Sequence, residues 1–240
     1  MSNKLVRLYF PDELKEGNVS RLSKNQSHYL KNVMRVKVGQ TISLFNSENG
    51  EWDVKIISIE DNLTKFEVKK ISRPKNKEIN IWLAFSLIKK IPQDIILQKT
   101  TEIGVQKFIP LICERSVVRE INIERAKKIL IESSEQSNRI SVPKISELQK
   151  IDLFLENFPE DGHLFFCDIN GKFSNLKKIS NKKNPICILI GPEGDFSETE
   201  RQLILKKKQT ISTSIANNIL RAETAAIAAT TILSYNLNFK

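Results

Sequence analysis

The first 72 residues alternate between hydrophobic and polar positions in short runs, a pattern typical of β-strands. The runs are 5–10, 41–45, 52–59 and 64–68. Only residues 27–35 have helical spacing, and Ser27 is the predicted N-cap. Short strands around a single helix, with turns near Gly39 and Gly50, predict a small β-barrel.

From residue 79 onward, continuous apolar runs alternate with helical segments. The predicted strands are 79–85, 108–112, 164–167, 186–190 and 210–215, and the clearest helices are 92–102, 123–138 and 222–233. Strands that are apolar on both faces and alternate with helices indicate a parallel sheet in an α/β domain. The polar stretch 73–77 separates the two patterns, so we expect domains at 1–72 and 73–240.

Composition narrows the classes of protein that fit this pattern. Of 240 residues, 40% are hydrophobic and only 8 are Gly and 8 Pro, which excludes disordered, collagen-like and low-complexity chains. The formal net charge is +10, and residues 17–47 contain no acid. The basic residues of that stretch are Arg21, Lys24, Lys31, Arg35 and Lys37. An acid-free basic stretch of this length predicts a surface for a polyanion.

Cysteine and histidine usage argues against a metal centre. Cys113, Cys167 and Cys187 lie far apart without a CxxC pair, and His28 and His163 are the only histidines, so we expect no metal site. Each cysteine lies in or beside an apolar run and is interpreted as a buried thiol in a reducing cytosol. No stretch approaches the roughly 18 apolar residues of a membrane span. We therefore expect a cytoplasmic protein with no membrane partner.

Two segments that follow predicted strands are the candidate sites for chemistry. The first loop is Ile190-Gly-Pro-Glu-Gly-Asp-Phe196, and Ser197 and Glu200 after it form a capping box. The second loop, 216–221, leads into a helix of small residues, with Arg221 and Glu223 at its start. An ordinary turn and plain core packing are the alternatives for the two segments. GxGxxG and GxxxxGK[ST] are absent, and neither histidine lies in either loop, which argues against dinucleotide, P-loop and Ser-His-Asp sites.

The chain resembles the RsmE family of SPOUT-class methyltransferases in an ordered set of motifs across nearly its whole length. The matching stretches are 7–10, 28–30 to 34–35, 98–99 with 101–105, 114–118, 135–136 with Arg139 and Pro143, 190–196, and 219–221 with 223–225. The resemblance implies an N-terminal PUA-like barrel and a SPOUT α/β domain with a deep C-terminal trefoil knot. It also implies a homodimer that uses S-adenosylmethionine to methylate N3 of a uridine in 16S (small-subunit) ribosomal RNA.

The same resemblance assigns roles to residues of this sequence. Cofactor binding maps onto both loops: Leu189, Ile190, Gly191, Pro192, Gly194, Ile215, Ala216, Asn218, Ile219 and Leu220. Asp195 and Ala216 replace two glycines of the family pattern. RNA contacts are expected from Arg7, Arg21, Lys24, Lys31, Arg35, Lys37, Arg115, Arg119 and Arg139.

The chemistry of the reaction indicates the catalytic residues. The uracil imide must lose a proton, and the resulting charge spreads onto its carbonyl oxygens, so a guanidinium would stabilise it. Arg221 is the first candidate for that role, and its alternative is a salt bridge to Glu223 or Glu193. Either glutamate, or solvent, is the candidate acceptor of the proton.

Two other functions stay open at this point. One is a SPOUT enzyme that methylates another RNA position, such as a ribose 2′-hydroxyl. The other is a non-catalytic RNA-binding or assembly factor. Which uridine is modified, and whether the substrate is free RNA or the assembled small subunit, is also open.

Overall fold

The computed structural model describes residues 6–60, 63–76, 78–173 and 184–238. The chain divides into two compact units, one of residues 1–77 with 134–142 and the other of residues 78–133 with 143–240. The first is called the N-terminal unit and the second the C-terminal unit. Within the described residues, no helix is long and apolar enough to cross a membrane.

The N-terminal unit is built on a five-stranded sheet, and each predicted strand run corresponds to one of its strands. The strands are β1 Arg7–Tyr9, β2 Val19–Arg21, β3 Thr41–Asn46, β4 Gly50–Glu60 and β5 Leu63–Arg73. Their order is β1-β3-β4-β5-β2, and only the β1–β3 pair is parallel. Alternating side chains such as Leu44, Val54 and Phe66 form its buried core. Strand β2 was not predicted.

The predicted helix at 27–35 differs from the observed one. Helix α1 is Lys24–His28, and a single π-helical turn follows at Tyr29–Val33. Ser23 is the N-cap, because Gln26 completes a capping box with it. The prediction of Ser27 as N-cap is therefore wrong. Ser27 is fully buried, and its Oγ accepts a hydrogen bond from the backbone N–H of Thr64 at 2.9 Å.

A nearly buried carboxylate, Glu51 on β4, organises the charges of the N-terminal unit. Arg7 Nε and Arg73 Nε each lie 3.0 Å from its Oε2, and Ser43 Oγ lies 2.5 Å from its Oε1. The Arg7 guanidinium also lies 3.6 Å from the centre of the Phe45 ring. The guanidiniums of Arg7 and Arg73 and the hydroxyl of Ser43 thus compensate the charge of the Glu51 carboxylate. A charge that is shielded from water needs such partners, because burial without them is costly in free energy.

The same arginines hold residues 134–142 in the N-terminal unit. Arg7 donates hydrogen bonds to the carbonyls of Ser134, at 3.0 Å, and Arg139, while Arg73 donates to the carbonyl of Asn138 at 3.1 Å. The structure therefore corrects the expected RNA contact of Arg7. Its side chain is only 10% exposed and its donors are engaged within the protein, which leaves little of the guanidinium for a phosphate.

The C-terminal unit contains the predicted parallel sheet. Its strands are β6 Ile81–Ser86, β7 Lys107–Ile112, β8 Lys144–Ile145, β9 Gln149–Lys150, β10 His163–Cys167, β11 Ile186–Ile190 and β12 Thr210–Thr213. The order is β12-β10-β11-β6-β7-β8, with β9 also paired to β7. Every pair is parallel. The predicted α/β class is confirmed, and the trefoil knot stays a prediction, as does the domain boundary after residue 72.

Helices connect these strands, as their sequence signals indicated. They are α2 Lys90–Ile103, α3 Ile123–Gln136, α4 Ile151–Glu156, α5 Glu198–Lys206 and α6 Ala222–Asn238. Helix α5 begins at the predicted capping box of Ser197 and Glu200. Helix α2 begins two residues before the predicted Pro92, which the first turn of a helix tolerates because N–H groups there lack helical partners. Gly104 ends α2 at φ 120°, a conformation that favours glycine.

The Glu51 cluster predicts a pH-dependent stability. Burial alone would raise the pKa of Glu51, but hydrogen bonds from Ser43, Arg73 and Arg7 outweigh it and lower that pKa. The stabilisation is therefore complete above the usual glutamate pKa and is lost as the pH falls through the lowered folded-state pKa. Glu51→Gln should lower the free energy of unfolding in urea by about 3 kcal/mol at pH 7, because Arg7 loses its buried partner.

The exposed pair of Lys75 and Glu48, with Nζ and Oε2 3.1 Å apart, provides the control. Glu48→Gln should unfold like the unmodified protein, because exposed ion pairs contribute little. The difference in the free energy of unfolding between Glu51→Gln and the unmodified protein should disappear as the pH falls through the folded-state pKa of Glu51. A Glu51→Gln protein as stable as the unmodified one at pH 7 would contradict this account of the cluster.

Candidate functional site

The carboxyl ends of four neighbouring strands define one edge of the C-terminal unit. Strands β12, β10, β11 and β6 are adjacent and parallel, so Thr213, Cys167, Ile190 and Ser86 end at the same side. The segments that follow these strands therefore meet there. Ligands of open parallel sheets bind at this edge.

A cavity of about 560 Å³ lies at that edge and is lined by both predicted loops. Its lining residues are Lys89, Pro92, Cys167, Ile169, Ile190, Gly191, Pro192, Glu193, Asp195, Ile219, Leu220, Arg221, Ala222, Glu223 and Ala225. The volume is within the range of small-molecule and cofactor sites. Two segments about thirty residues apart in sequence thus enclose one space.

A second, smaller cavity of about 90 Å³ shares five of these lining residues. The other lining residues are Asp168 and the run Thr213 to Asn218. It therefore extends the same site along the second loop. Ala216 lines it, and the Ala216 carbonyl accepts a hydrogen bond from Ser214 Oγ at 2.9 Å.

The first loop is shaped by a buried aromatic ring and a left-handed residue. A Cβ on Gly191 would lie 2.9 Å from the Phe196 ring, which is 4% exposed and packs edge-on against Phe166. Asp195 has φ 59°, a conformation that glycine prefers and aspartate tolerates better than most residues. Its Oδ1 accepts a hydrogen bond from the Phe196 N–H at 2.8 Å. Aspartate therefore fits where the family pattern has glycine.

The 114–118 motif lies against this loop. Ser116 Oγ is 2.8 Å from both the Cys113 N–H nitrogen and Ser86 Oγ, and so fixes the turn after β7. The Glu114 N–H donates to Glu200 Oε1 at 2.7 Å, and Arg115 Nη1 donates to the Gly194 carbonyl at 2.9 Å. The motif and the first loop are therefore joined by side-chain hydrogen bonds.

The three candidate catalytic residues share the larger cavity. Arg221 and Glu193 are exposed and Glu223 is partly buried, and all three line it. Arg221 forms no ion pair with any residue that the structure describes. The alternative role of Arg221, a salt bridge to Glu193 or Glu223, therefore finds no support among those residues. Its guanidinium is a cation beside a ligand-sized space.

Eight of the ten predicted cofactor residues line at least one of the two cavities. Ile190, Gly191, Pro192, Ile219 and Leu220 line the larger cavity, and Ile215, Ala216 and Asn218 line the smaller one. Leu189 is fully buried in the hydrophobic core beneath the loop. Gly194 is exposed and lines neither cavity, and a Cβ there would make only ordinary contact with Arg115 at 3.7 Å.

Sequence reasoning missed the walls that the other two strands contribute. Lys89 and Pro92 follow β6, and Cys167 and Ile169 lie at the end of β10. Their position directly after predicted strands was the one available signal. Burial raises the pKa of the Cys167 thiol, and it raises the pKa of both Cys113 and Cys187 to about 12. These thiols are poor nucleophiles. Cys113 and Cys187 are buried as predicted, whereas Cys167 is only partly buried at the cavity wall, so the prediction of a buried thiol is wrong for Cys167.

The predicted RNA-contacting residues differ in accessibility. Those on the acid-free stretch of the N-terminal unit are all exposed: Arg21, Lys24, Lys31, Arg35 and Lys37. Arg115 and Arg119 are exposed in the C-terminal unit. Arg139 is only 9% exposed, and its Nη2 lies 2.9 Å from Ser141 Oγ, so the structure places it inside the N-terminal unit, away from a phosphate.

Two protein families match the chain, one in the β-rich region near its start and the other in the α/β region that follows. Residues 75–234 match the RNA methyltransferase domain family, and residues 22–69 match the RNA methyltransferase PUA domain family. The chain is 34% identical to the ribosomal RNA small subunit methyltransferase E of Rickettsia conorii, over 94% of this chain and 93% of that protein. It is 26% identical to the Bacillus subtilis protein of the same name, over 93% and 92%.

Solved structures agree with these relatives. The fold is similar to ribosomal RNA small subunit methyltransferase E of Neisseria gonorrhoeae bound to S-adenosylmethionine, with TM-score 0.87 and 28% identity over 97% of this chain and 98% of that one. It is also similar to a methyltransferase of Legionella pneumophila in complex with the same cofactor. That match has TM-score 0.85 and 27% identity over 96% and 97% of the two chains.

The left-handed backbone at Asp195 gives a direct test of the first loop. Asp195→Gly should leave the free energy of unfolding nearly unchanged, because glycine relieves the strain but loses the hydrogen bond to Phe196. Asp195→Val should destabilise by about 1–2 kcal/mol or more, because a β-branched residue is strained at positive φ. Urea unfolding of both variants measures the difference. Equal stability of the two variants would show that the loop does not hold this conformation.

Proposed function

This chain belongs to the ribosomal RNA small subunit methyltransferase E family, and from that premise we propose that it methylates N3 of a uridine in 16S ribosomal RNA. The enzyme class is an S-adenosylmethionine-dependent ribosomal RNA methyltransferase. The observation that carries the proposal is the single cavity enclosed by residues of both loops, with Arg221 in its wall. The matched regions, an RNA methyltransferase domain and a PUA domain, support RNA as the substrate.

The cavity has the surfaces that S-adenosylmethionine needs. Ile169, Ile190, Ile219 and Leu220 supply apolar walls for an adenine ring, and Gly191 lines the cavity while its missing side chain leaves room for the Phe196 ring behind the loop. The carboxylates of Glu193, Asp195 and Glu223 give the lining negative groups that suit a cationic ligand. We infer that these residues, with Pro192 and the 215–218 segment, hold the cofactor.

When bound, S-adenosylmethionine supplies an electrophilic methyl group. The work left to the protein is to orient the uracil and to stabilise the charge that develops as N3 loses its proton. Arg221 would donate hydrogen bonds to a uracil carbonyl oxygen, where that charge accumulates. A preorganised cation of this kind acts more strongly in a closed site than in water.

Glu223 is the favoured proton acceptor of the two glutamates in the cavity wall. It is partly buried in the cavity wall and lies two residues from Arg221 in the chain, whereas Glu193 is exposed to solvent. Glu193 then serves to orient Arg221 or the cofactor. Transfer of the proton to solvent stays an alternative, which Glu223→Gln would test in the same assay.

The RNA surface is proposed to extend over the acid-free stretch of the N-terminal unit. Its exposed cations Arg21, Lys24, Lys31, Arg35 and Lys37 would contact phosphates. Tyr29 and Met34, 37% and 40% exposed, lie among them and offer surfaces on which a base can stack. Arg115 and Arg119 are the proposed RNA contacts of the C-terminal unit.

We further propose a homodimer of a cytoplasmic enzyme. The resemblance to the family implies the dimer, and contact with a second copy would bury the large apolar side chains of Ile91, Ile219 and Tyr235 in the C-terminal unit, which are 74%, 79% and 65% exposed. A separate question is whether the RNA substrate is free or part of the assembled small subunit. A methylation assay that offers each substrate in turn would answer it.

Arg221→Ala should strongly reduce turnover but leave cofactor binding nearly unchanged. We expect methyl transfer to small-subunit RNA to fall about 100-fold, as for the loss of one donor to a developing oxyanion. The dissociation constant for S-adenosylmethionine, measured by calorimetry, should change by less than about threefold, or 0.7 kcal/mol. Arg125→Ala is the control, because Arg125 is exposed, pairs with Asp94 and lies outside the cavity lining.

Mass spectrometry of the RNA nucleosides identifies the product in the same experiment. The proposal predicts 3-methyluridine from the unmodified protein. A 2′-O-methylated nucleoside would contradict the N3 assignment, and the absence of any cofactor binding would indicate an RNA-binding or assembly factor. Unchanged turnover in Arg221→Ala would remove Arg221 from the catalytic residues.

The basic stretch should determine how strongly RNA binding depends on salt. Lys31→Ala and Lys37→Ala should each reduce the slope of log K against log salt by about 0.7–0.9, because each phosphate contact releases counterions. Lys69→Ala is the matched control, since Lys69 is exposed on β5 of the same unit but pairs with Glu67, with Nζ and Oε1 2.6 Å apart. A slope equal to that of the control would exclude this stretch from the RNA surface.

A further inference from the structure

A buried carboxylate outside the predicted site residues connects the elements that carry the two loops. Asp168 follows β10 directly, and its side chain is 2% exposed. Arg201 lies on α5, the helix that begins where the first loop ends. Ser212 lies on β12, the strand that leads into the second loop. These three residues, called here the loop clamp, therefore come from three separate elements of the C-terminal unit.

The distances show that the clamp is a complete hydrogen-bonded network. Arg201 donates to Asp168 through Nη2 to Oδ2 at 2.9 Å and through Nε to Oδ1 at 3.4 Å. Ser212 Oγ lies 2.9 Å from Oδ2, and the Asn170 N–H donates to Oδ1 at 3.0 Å. Each carboxylate oxygen thus has two donors. An arginine that contacts both oxygens of a carboxylate holds the two side chains in one orientation and also compensates the negative charge.

The same network argues against a direct contact between Asp168 and the cofactor. In open parallel sheets, an acid near a strand end often binds ribose hydroxyls. Here the carboxylate borders the smaller cavity, but protein donors already engage both of its oxygens. A ribose hydroxyl would have to displace one of them. Asp168 is therefore suited to position the site rather than to touch the ligand.

Backbone contacts carry the clamp into both loops. The Asp168 N–H donates to the Thr213 carbonyl at 3.0 Å, and a Cβ on Gly171 would lie 2.9 Å from the Thr213 carbonyl carbon. The segment after β10 therefore packs directly on the start of the second loop. On the other side, the Arg201 N–H donates to the Ser197 carbonyl at 2.8 Å, within the turn that closes the first loop.

Because the clamp joins the helix that follows the first loop to the strand that precedes the second, we propose that Asp168, Arg201 and Ser212 are positioning residues for S-adenosylmethionine. They hold the two loops at the separation that encloses the cofactor. This inference depends on the proposed function of the cavity. It assigns a role to Arg201, which lines neither cavity and so can be changed without altering a wall of the site.

Arg201→Gln is the primary test, with calorimetric titration of S-adenosylmethionine into the purified full-length chain. We expect the dissociation constant to rise about tenfold, which corresponds to 1.4 kcal/mol, with unchanged stoichiometry. Arg201→Lys keeps the charge but loses the fork and should give an intermediate value. Thermal unfolding without cofactor is recorded for each variant, so that affinity is separated from stability.

Arg125→Gln is the matched control, because it removes another arginine–aspartate pair of the same unit, with Arg125 Nη2 and Asp94 Oδ2 2.5 Å apart. Its dissociation constant should stay within about twofold of the unmodified protein, or 0.4 kcal/mol. An Arg201→Gln protein with unchanged affinity and lowered thermal stability would overturn the positioning role. If Arg201→Gln does not fold, Arg201→Lys carries the test, and unchanged affinity in that variant overturns the proposal.

The unmodified protein separates this inference from the function on which it depends. If the unmodified protein does not bind S-adenosylmethionine, both proposals fail. If it binds and Arg201→Gln binds equally well, only the clamp proposal fails.

Discussion

The parallel pairing of β12, β10, β11 and β6 is the constraint on which the rest of the structure depends. Since parallel strands end on the same side, residues as distant in sequence as Lys89, Cys167, Gly191 and Arg221 come to line one cavity. The buried, uninterrupted apolar character of the strands produces that pairing. Loss of one central strand would therefore remove the site as well as the core.

The site uses backbone shape more than reactive side chains. No histidine lines either cavity among the residues that the structure describes, and the raised pKa of the Cys167 thiol in the cavity wall keeps it protonated. Instead, the Phe196 ring restricts Gly191, the capping box of Ser197 and Glu200 closes the first loop, and the loop clamp joins it to the second. Such an arrangement suits a reaction whose cofactor already contains the reactive group and whose protein must supply orientation and charge.

The sequence pattern correctly predicted most features that depend on residues close together in the chain. Both candidate loops, the start of α5 and the parallel sheet followed from hydrophobic runs and a capping signature. The Ser27 cap failed because a local signal was missed, since Ser23 and Gln26 form a capping box three residues apart. Distant contacts decide two other features. Residues 134–142 cluster with the N-terminal unit, and the Arg7 side chain, which resembles any other surface cation in the sequence, lies largely buried against Glu51. Lys89 and Cys167 line the cavity from the ends of strands β6 and β10, but no sequence motif marks either strand end. A knot cannot be predicted from the spacing of hydrophobic residues.

The central claim is that residues 190–195 and 219–225 together enclose the adenosyl group of the cofactor. A crystal structure of the full-length chain grown with S-adenosylhomocysteine measures this most directly. The account predicts density for the adenosyl group between these segments, against Ile190, Gly191 and Leu220 and within reach of the Arg221 side chain. Density for the ligand elsewhere on the protein, with the cavity between the two loops filled by protein side chains, would contradict it.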